Sequence, residues 1–224
     1  MLLLVVDTSG KNGSMALARV TASGSTVEIV EEIALAGGTF SAKLVPQTAV
    51  LLQKHGYGKG DLAGFVVVSG PGSFTGLRVG LAAIKAMAEI LRKPIAAISL
   101  LEVVARTGRE AGRVFSLLDA GRGDFYVGDY ELGPTVRMHS ERLVSREEFS
   151  SESKGQFVVT PDTNIAQFAR SAGFCVEQIS YPISNEIARL GWDRIRRGEA
   201  IRPEDLEANY IRRTDAEIFS KPKV

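Results

Sequence analysis

The first 36 residues constrain the fold most, because three strand-like segments follow one another with only short turns between them. The run LLLVV at 2–6 is apolar at every position, as in a strand that is buried on both faces of a sheet. Polar and glycine-rich turns at 7–14 and 22–25 separate this run from strand-like segments at 15–20 and 26–35. This order predicts a β-meander of antiparallel strands.

Helices and strands alternate in the next part of the chain. The patterns are helical at 41–56, 74–92 and 100–109 and extended at 65–70 and 94–99. We expect Pro46 in the first turn of the first helix, where its missing N–H does little harm, and Gly56 as the cap that ends this helix. Because parallel neighbours need helical crossovers, the order predicts parallel strands added to the antiparallel meander.

The second half of the chain begins with a pattern that resembles the start. LLDAGRGDFYVGDY at 117–130 and VVDTSGKNGSMALARV at 5–20 both consist of an apolar strand, an aspartate, a glycine turn and a second strand. This similarity indicates two similar lobes. Further patterns predict strands near 134–144 and 156–160 and helices at 164–172 and 183–200.

Composition excludes several classes of protein. A hydrophobic content of 45% in 224 residues is enough for a sizeable core, and a net charge of +1 gives no overall electrostatic footprint for nucleic acid. Cys175 is the only cysteine, so no intrachain disulfide forms; we expect it in the core and the chain in a reducing cytosol. We expect neither a signal peptide nor a membrane span, because no 18 apolar residues run together.

The segment SGPGSFTGLRVG at 69–80 is placed between a strand and a helix, where many proteins bind phosphate. A Walker A loop is excluded, because no lysine follows at the required spacing. Gly70, Gly72 and Gly76 are one residue too widely spaced for the dinucleotide-binding fingerprint. The segment therefore fits neither phosphate-binding motif.

Gly76, Gly80, Ala83 and Met87 share one face of the predicted helix. Glycine inside a helix costs about 1 kcal/mol relative to alanine, so something must approach this backbone closely. Either the chain's own sheet or a helix of another chain satisfies that condition.

Two larger side chains belong to the same helix. Phe74 is either a core staple or an exposed interface aromatic. Arg78 lies off the face of small residues and points to solvent or to an acidic partner.

The residues that could carry chemistry are few. His55 and His139 are too far apart in sequence for a helical metal motif such as H-x-x-x-H, and His55 is expected on the surface at a helix end. Asp7, with Ser9 beside it, and Asp119 each end a strand and open a glycine turn. Carboxylates in that place hold Mg²⁺ or orient a water beside phosphates, or they simply begin an Asx turn.

Basic residues concentrate near the end of the chain. They are RIRR at 194–197, Arg202, Arg212 and Arg213. They form either an RNA phosphate contact or a solvated helix face.

Several of these segments together resemble the bacterial TsaB (YeaZ) family. They are DTS at 7–9, SGPGSFTGLRVG at 69–80, IAAISLLEVVA at 95–105, LLDAGRGDFYVGDY at 117–130 and ANYIRR at 208–213. The resemblance implies an α/β fold of the ASKHA type, with two ribonuclease-H-like lobes of mixed sheets flanked by helices. The lobes are expected at 1–105 and 106–204, with 205–224 returning to the first.

The resemblance also implies a function. Family members are non-catalytic partners that bind and activate the transferase TsaD in threonylcarbamoyladenosine modification of tRNA, with the ATPase TsaE as a further partner. We therefore expect a cytoplasmic protein that dimerises when alone, reaches tRNA indirectly and requires no cofactor or metal, with ATP or ADP and Mg²⁺ at the complex interface. The alternative is an ATP-dependent ASKHA phosphotransferase that uses Asp7 and Asp119.

The family's partner surface consists of two helices that correspond to 41–56 and 74–90 in this chain. The resemblance thus assigns to this surface Leu44, Pro46, Phe74, Gly76, Arg78, Gly80, Ala83 and Met87. Family members often have H-S-E-x-L-L-P where this chain has FSAKLVP at 40–46, so it lacks that histidine and glutamate at Phe40-Ser41-Ala42 and keeps the apolar positions.

Overall fold

Strand β1 (Leu2–Asp7) forms the centre of a five-stranded mixed sheet in the computed structural model. The structure describes residues 1–21, 24, 26–109, 111–152, 156–181 and 184–212. The other strands of this sheet are β2 (Asn12–Val20), β3 (Val27–Ala36), β4 (Leu62–Gly70) and β5 (Ile95–Ser99), in the order β3-β2-β1-β4-β5. The first three pair antiparallel and the last two add in parallel, which confirms the predicted meander and its parallel extension.

Both faces of β1 are buried, as its unbroken apolar sequence predicts. Leu2, Leu4 and Val6 face helices α1 (Phe40–Lys54) and α2 (Phe74–Leu91). Leu3 and Val5 face the opposite side, which is covered by α6 (Ser184–Arg196). Since successive strand residues point to opposite faces, this one strand contributes to two separate parts of the core.

The second sheet repeats the topology of the first. Its strands are β6 (Gly112–Gly121), β7 (Asp124–Leu132), β8 (Arg137–Ser145), β9 (Phe157–Thr160) and β10 (Cys175–Gln178), in the order β10-β9-β6-β7-β8. Strand β6 pairs antiparallel with β7 and parallel with β9, as β1 does with β2 and β4. The structure thus confirms the two similar lobes that the repeated aspartate–glycine pattern indicates.

Helices α3 (Leu100–Gly108) and α6 form a middle layer between the two sheets. One hydrophobic core joins both helices to the inner faces of both sheets. Helices α4 (Arg146–Ser150) and α5 (Thr163–Ser171) contribute to a separate core on the outer side of the second sheet. Helix α6 contacts all five strands of the first sheet, although the predicted boundaries assign 184–204 to the second lobe. Those boundaries stay predictions, and residues 213–224 lie outside the described part of the chain.

Two local predictions are wrong. Helix α1 begins at Phe40, so Pro46 is inside the helix and not in its first turn. The missing N–H is tolerated because both Pro46 and Ala42, whose carbonyl it would have bonded, are exposed to water. Cys175 is exposed on the short edge strand β10, and its neighbour Phe174 takes the core position instead. Gly56 does follow the end of α1, with the positive φ of +73° that favours glycine there.

Candidate functional site

The turn between β4 and α2 contains glycines because three backbone segments meet there. A Cβ atom on Gly72 would lie 2.3 Å from the backbone oxygen of Ser9, and one on Gly70 would lie 2.7 Å from that of Asn209. The N–H of Ser73 donates to the same Ser9 oxygen at 2.6 Å. These glycines therefore permit close packing of backbone on backbone.

Gly76 and Gly80 serve the same purpose inside helix α2. A Cβ atom on Gly76 would lie 2.2 Å from the backbone oxygen of Thr8, and one on Gly80 would lie 2.2 Å from Thr8 Oγ1. Both glycines are buried. Of the two interpretations left open by the sequence, internal packing accounts for both positions. They lie on the inner side of the helix and do not form a flat outer surface.

The other residues assigned to the partner surface differ in exposure. Leu44 is buried in the core beneath α1, whereas Pro46 is exposed on the outer side of that helix. Ala83 and Met87 are half-buried on α2. Only some of the residues predicted for the partner surface therefore lie on the outer side of the two helices.

An exposed apolar surface does cover the outer side of these helices. We call it the α1–α2 surface and define it by residues that are exposed or half-exposed: Val45, Pro46, Ala49, Val50, Ala82, Ala83, Ala86, Met87 and Ile90. Val45, Val50 and Ile90 are 51%, 61% and 77% exposed, which is unusual for side chains of this size. Sequence reasoning missed these three residues, although each lies away from the buried face of its helix.

Phe74 and Arg78 contact the C-terminal segment of the chain. The Phe74 and Tyr210 ring centroids are 4.9 Å apart, and the Arg78 guanidinium lies 3.7 Å from the centre of the Phe74 ring. Arg78 Nε donates to the Tyr210 hydroxyl at 3.1 Å. The sequence predicted neither the ring contact nor the hydrogen bond, because the two segments are far apart in the chain.

Asp7 lies at the end of β1, with its carboxylate occupied by donors of the chain. Its Oδ1 accepts hydrogen bonds from the Ser9 N–H at 2.8 Å and the Ser9 hydroxyl at 2.5 Å, and its Oδ2 accepts from the Tyr181 hydroxyl at 3.1 Å. Burial raises the pKa of Asp7 above its ordinary value, and the hydrogen bonds from Ser9 and Tyr181 oppose that shift. Tyr181 therefore covers the carboxylate group on the side away from Ser9.

Asp119 occupies the corresponding place in the second lobe but is exposed. Its Oδ1 accepts a hydrogen bond from the Gly121 N–H at 2.9 Å, the same Asx-turn contact that Asp7 makes with Ser9. Ser9, Asp119 and Tyr181 all line a cavity of about 350 Å³ between the lobes, together with Lys11. The structure thus brings Ser9 and Asp119 to one cavity, whereas Asp7 does not line it.

We expect Asp7→Asn to be at least as stable as the wild type at pH 7. The amide oxygen can accept from Ser9 and the amide N–H₂ can donate to Tyr181, without the cost of burying a charge. The pKa of Asp7 is higher in the folded than in the unfolded chain, so the folded state holds the proton more tightly. The stability gained from this proton is full below the unfolded pKa of about 3.9 and is lost as pH rises through the folded pKa. The advantage of the variant should therefore shrink on acidification, as measured by urea unfolding at pH 7, 5.5 and 4.

The matched control is Asp119→Asn, which changes an exposed carboxylate and should alter the free energy of unfolding at pH 7 by no more than about 0.5 kcal/mol. A loss of more than about 2 kcal/mol for Asp7→Asn at pH 7 would contradict the argument, because it would make the charge itself necessary.

The basic residues near the chain end are largely paired within the protein. Arg194 bonds Glu102 at 2.5 Å, Arg196 bonds Asp193 at 3.0 Å, and Arg202 and Arg212 each contact an aspartate at 2.7 Å. These pairs favour a structural role over an RNA phosphate contact for most of this group. Arg213 lies outside the described residues.

The two histidines do not form a common site. His55 Nε2 lies 2.6 Å from Glu31 Oε2 just after α1, and His139 is exposed on β8. Across the described ranges, no three His, Cys, Asp or Glu side chains are arranged to hold a metal ion. Within those same ranges, none of the helices has the length and apolar content needed to cross a bilayer.

Sequence comparison relates this chain to tRNA-modification proteins. Residues 28–182 match the family model "TsaD: tRNA N6-adenosine threonylcarbamoyltransferase". The tRNA threonylcarbamoyladenosine biosynthesis protein TsaB of Bacillus subtilis (strain 168) is 36% identical over 132 residues, which cover 58% of this chain and 56% of the relative, so the match spans just over half of that protein. TsaB of Haemophilus influenzae (strain ATCC 51907 / DSM 11121 / KW20 / Rd) is 31% identical over 177 residues, 78% of this chain and 70% of the relative.

Structural comparison extends the likeness over nearly the whole chain. A Pseudomonas aeruginosa protein described as similar to peptidase YEAZ superposes with a TM-score of 0.75 at 22% identity, covering 94% of this chain and 99% of that one. A ROK family protein from Streptococcus pneumoniae TIGR4 has a TM-score of 0.52 at 8% identity, covering 88% and 100%. The ASKHA-type two-lobe fold predicted from the sequence is thereby confirmed.

Proposed function

Because the chain belongs to the TsaB (YeaZ) family, we propose that it is a cytoplasmic, non-catalytic subunit that binds and activates a TsaD-type transferase in tRNA modification. The relatives named TsaB are described as tRNA threonylcarbamoyladenosine biosynthesis proteins, which supports a role in that pathway. Residues 28–182 match a family model named for TsaD, so this chain is related to TsaD-type proteins. This relationship supports a TsaD-type protein of similar fold as the partner of this chain. A TsaE-type ATPase is the further partner in this proposal.

The α1–α2 surface is the observation that carries the proposal. Contiguous exposed apolar surface on a soluble protein commonly marks a protein–protein contact. The branched side chains of Val45 and Val50 on α1 and of Ile90 on α2 are more than half exposed. The small residues Ala82 and Ala86 are exposed on the same helix as Ile90. Small residues let a second helix approach closely, so the surface suits helices of a TsaD-type partner or of a second copy.

The hydrogen bonding of the two aspartates supports a non-catalytic role. Both carboxylates are engaged by N–H groups of their own turns, and Asp7 is also covered by Tyr181. The alternative, an ATP-dependent phosphotransferase, requires these groups to serve Mg²⁺ or a water beside the phosphates. Calorimetry of the isolated chain with ATP and Mg²⁺ separates the two: tight binding that Asp7→Asn abolishes would favour the alternative. We propose that ATP or ADP binds with Mg²⁺ at the complex interface.

Ala86→Arg should weaken capture of the TsaD-type partner by at least about 100-fold, because it places a charge in the centre of an apolar contact. Ala86 is exposed on α2, and arginine is a good helix former, so the fold of the variant should be intact. Pull-down with the TsaD-type protein of the same organism, followed by a titration, measures the effect.

Gln167→Arg is the matched control, since Gln167 is exposed on helix α5 of the second lobe. It should bind the partner like the wild type. In size-exclusion chromatography with light scattering, the isolated wild type should be a dimer and Ala86→Arg a monomer. Wild-type affinity in the Ala86→Arg variant would refute the assignment of this surface.

A further inference from the structure

A second surface site lies where the C-terminal segment passes between the two lobes. A groove of about 460 Å³ opens there, within the roughly 300–1,000 Å³ range of small-molecule sites. We call it the Tyr210 groove and define it by its lining, which includes Phe74, Gly121, Arg122, Tyr126, Tyr210 and Arg212. It is separate from the α1–α2 surface defined above.

Aromatic rings supply one wall of the Tyr210 groove. Tyr210 is 40% exposed, although its ring is held in place by the Phe74 ring on one side and by a hydrogen bond from Arg78 to its hydroxyl. An aromatic ring that is fixed and still exposed offers a stacking surface at little entropic cost. Every nucleobase has a flat face that stacks on such a ring, so the contact tolerates any base.

Positively charged side chains lie in and beside the same groove. Arg78 lies beside the groove without lining it: its guanidinium is exposed, contacts Tyr210, and forms no ion pair with any residue that the structure describes. Arg212 is paired with Asp124, but its Nε atom is buried with no hydrogen-bond partner among the described residues. A buried donor without a partner is rare in proteins, and the residue that carries it is one of those that line the groove.

The glycine turn at 121–123 adds room for a phosphate. Gly121 and Gly123 have φ angles of +74° and +87°, and a Cβ atom at either position would meet nothing within 4 Å. The backbone of this turn is therefore open to close approach by a ligand, with the Arg122 side chain between the two glycines.

We propose that the Tyr210 groove binds an unpaired nucleotide of single-stranded RNA, with its base on Tyr210 and its phosphate toward Arg122 and Arg212, the two arginines that line the groove. The inference rests on the proposed function in tRNA modification, and it adds a direct RNA contact where the family resemblance implied an indirect one. A free mononucleotide carries the same base and phosphate chemistry, so the test distinguishes the two sources.

The test uses the full chain and a fluorescein-labelled, unstructured 12-nucleotide RNA, with binding followed by fluorescence anisotropy. Tyr210→Ala should weaken binding by about 5- to 150-fold, the fold-change that corresponds to one base–aromatic stack. Tyr210→Phe keeps the ring and should stay within about twofold of wild type. Arg122→Gln, at an arginine that lines the groove, should reduce the slope of log affinity against log salt by about 0.7, as expected for one lost phosphate contact.

Arg137→Gln is the matched control, because Arg137 is exposed on β8 and does not line the groove. The proposal is overturned if the wild type does not bind the RNA, or if Tyr210→Ala, shown to be folded by its melting curve, binds it like the wild type. Competition with AMP identifies the source: displacement of RNA at micromolar AMP indicates a free nucleotide, and no displacement indicates RNA. Capture of the TsaD-type partner is measured on the same variants, so a failure of RNA binding is distinguished from a failure of the proposed function.

Discussion

Gly76→Ala should lower the free energy of unfolding by about 3 kcal/mol, even though alanine is the better helix former by about 1 kcal/mol. The new Cβ atom would lie 2.2 Å from the backbone oxygen of Thr8, a distance at which helix α2 must move away from the end of β1. Backbone at that point cannot rotate aside as a side chain can. Urea unfolding followed by circular dichroism measures the loss.

Gly80→Ala provides a test of the mechanism through a double-mutant cycle. Its Cβ atom would meet Thr8 Oγ1, a side-chain atom that makes no hydrogen bond to any described residue. Thr8→Ala removes that atom and should recover much of the stability lost in Gly80→Ala, but none of that lost in Gly76→Ala. Gly60→Ala is the control, because nothing lies within 4 Å of a Cβ atom there. Equal stability of Gly76→Ala and the wild type would show that close packing is not the role of Gly76.

These contacts also decide which variants can test partner binding. A large residue at Gly80 would displace α2 from the core, so lost binding would report a damaged fold and not a blocked surface. Ala86 is on the outer side of the same helix and avoids that ambiguity.

The topology was predictable because each lobe is built from segments with a clear apolar pattern. The unbroken run at 2–6 and the repeated strand–aspartate–glycine turn were sufficient to predict a mixed sheet and two similar lobes. Two short elements were missed, α4 with five residues and β10 with four, because neither shows a periodicity or an apolar run; β9 is as short as β10 but was predicted from its apolar run at 157–159.

The reason for the glycines in α2 was predictable only as a pair of alternatives. Sequence reasoning shows that something approaches the helix closely, but Thr8 lies 68 and 72 positions away and no local pattern connects it to Gly76 or Gly80. The role of Tyr210 was hidden for the same reason, because its partners Phe74 and Arg78 belong to a distant helix. Long-range contacts of this kind follow from the tertiary fold and not from propensity.

One carboxylate, that of Glu141, connects the C-terminal segment to both lobes. Glu141 on β8 accepts hydrogen bonds from the Ser99 and Tyr130 hydroxyls and, at 2.5 Å, from the side-chain amide of Asn209. Burial and the adjacent carboxylate raise the pKa of Tyr130, so its hydroxyl stays protonated and donates. The N–H of Asn209 in turn donates to the Ser69 carbonyl at 2.7 Å, next to the glycine turn that leads into α2.

Glu141→Ala should therefore lower the free energy of unfolding by about 3 kcal/mol, because it leaves three donors from different segments without their charged acceptor. Tyr130→Phe removes one of the three and should cost about 1 kcal/mol. Urea unfolding measures both losses.

Glu28→Ala is the control for the loss of a carboxylate, since Glu28 is exposed on β3 and should change stability by no more than about 0.5 kcal/mol. The site of the damage distinguishes a lobe-to-lobe connection from a local effect. In Glu141→Ala, amide hydrogen exchange should accelerate at Asn209, whose N–H is bonded to the first lobe, as well as in β8 of the second. Acceleration confined to β8 would mean that Glu141 stabilises only its own sheet and does not connect the lobes.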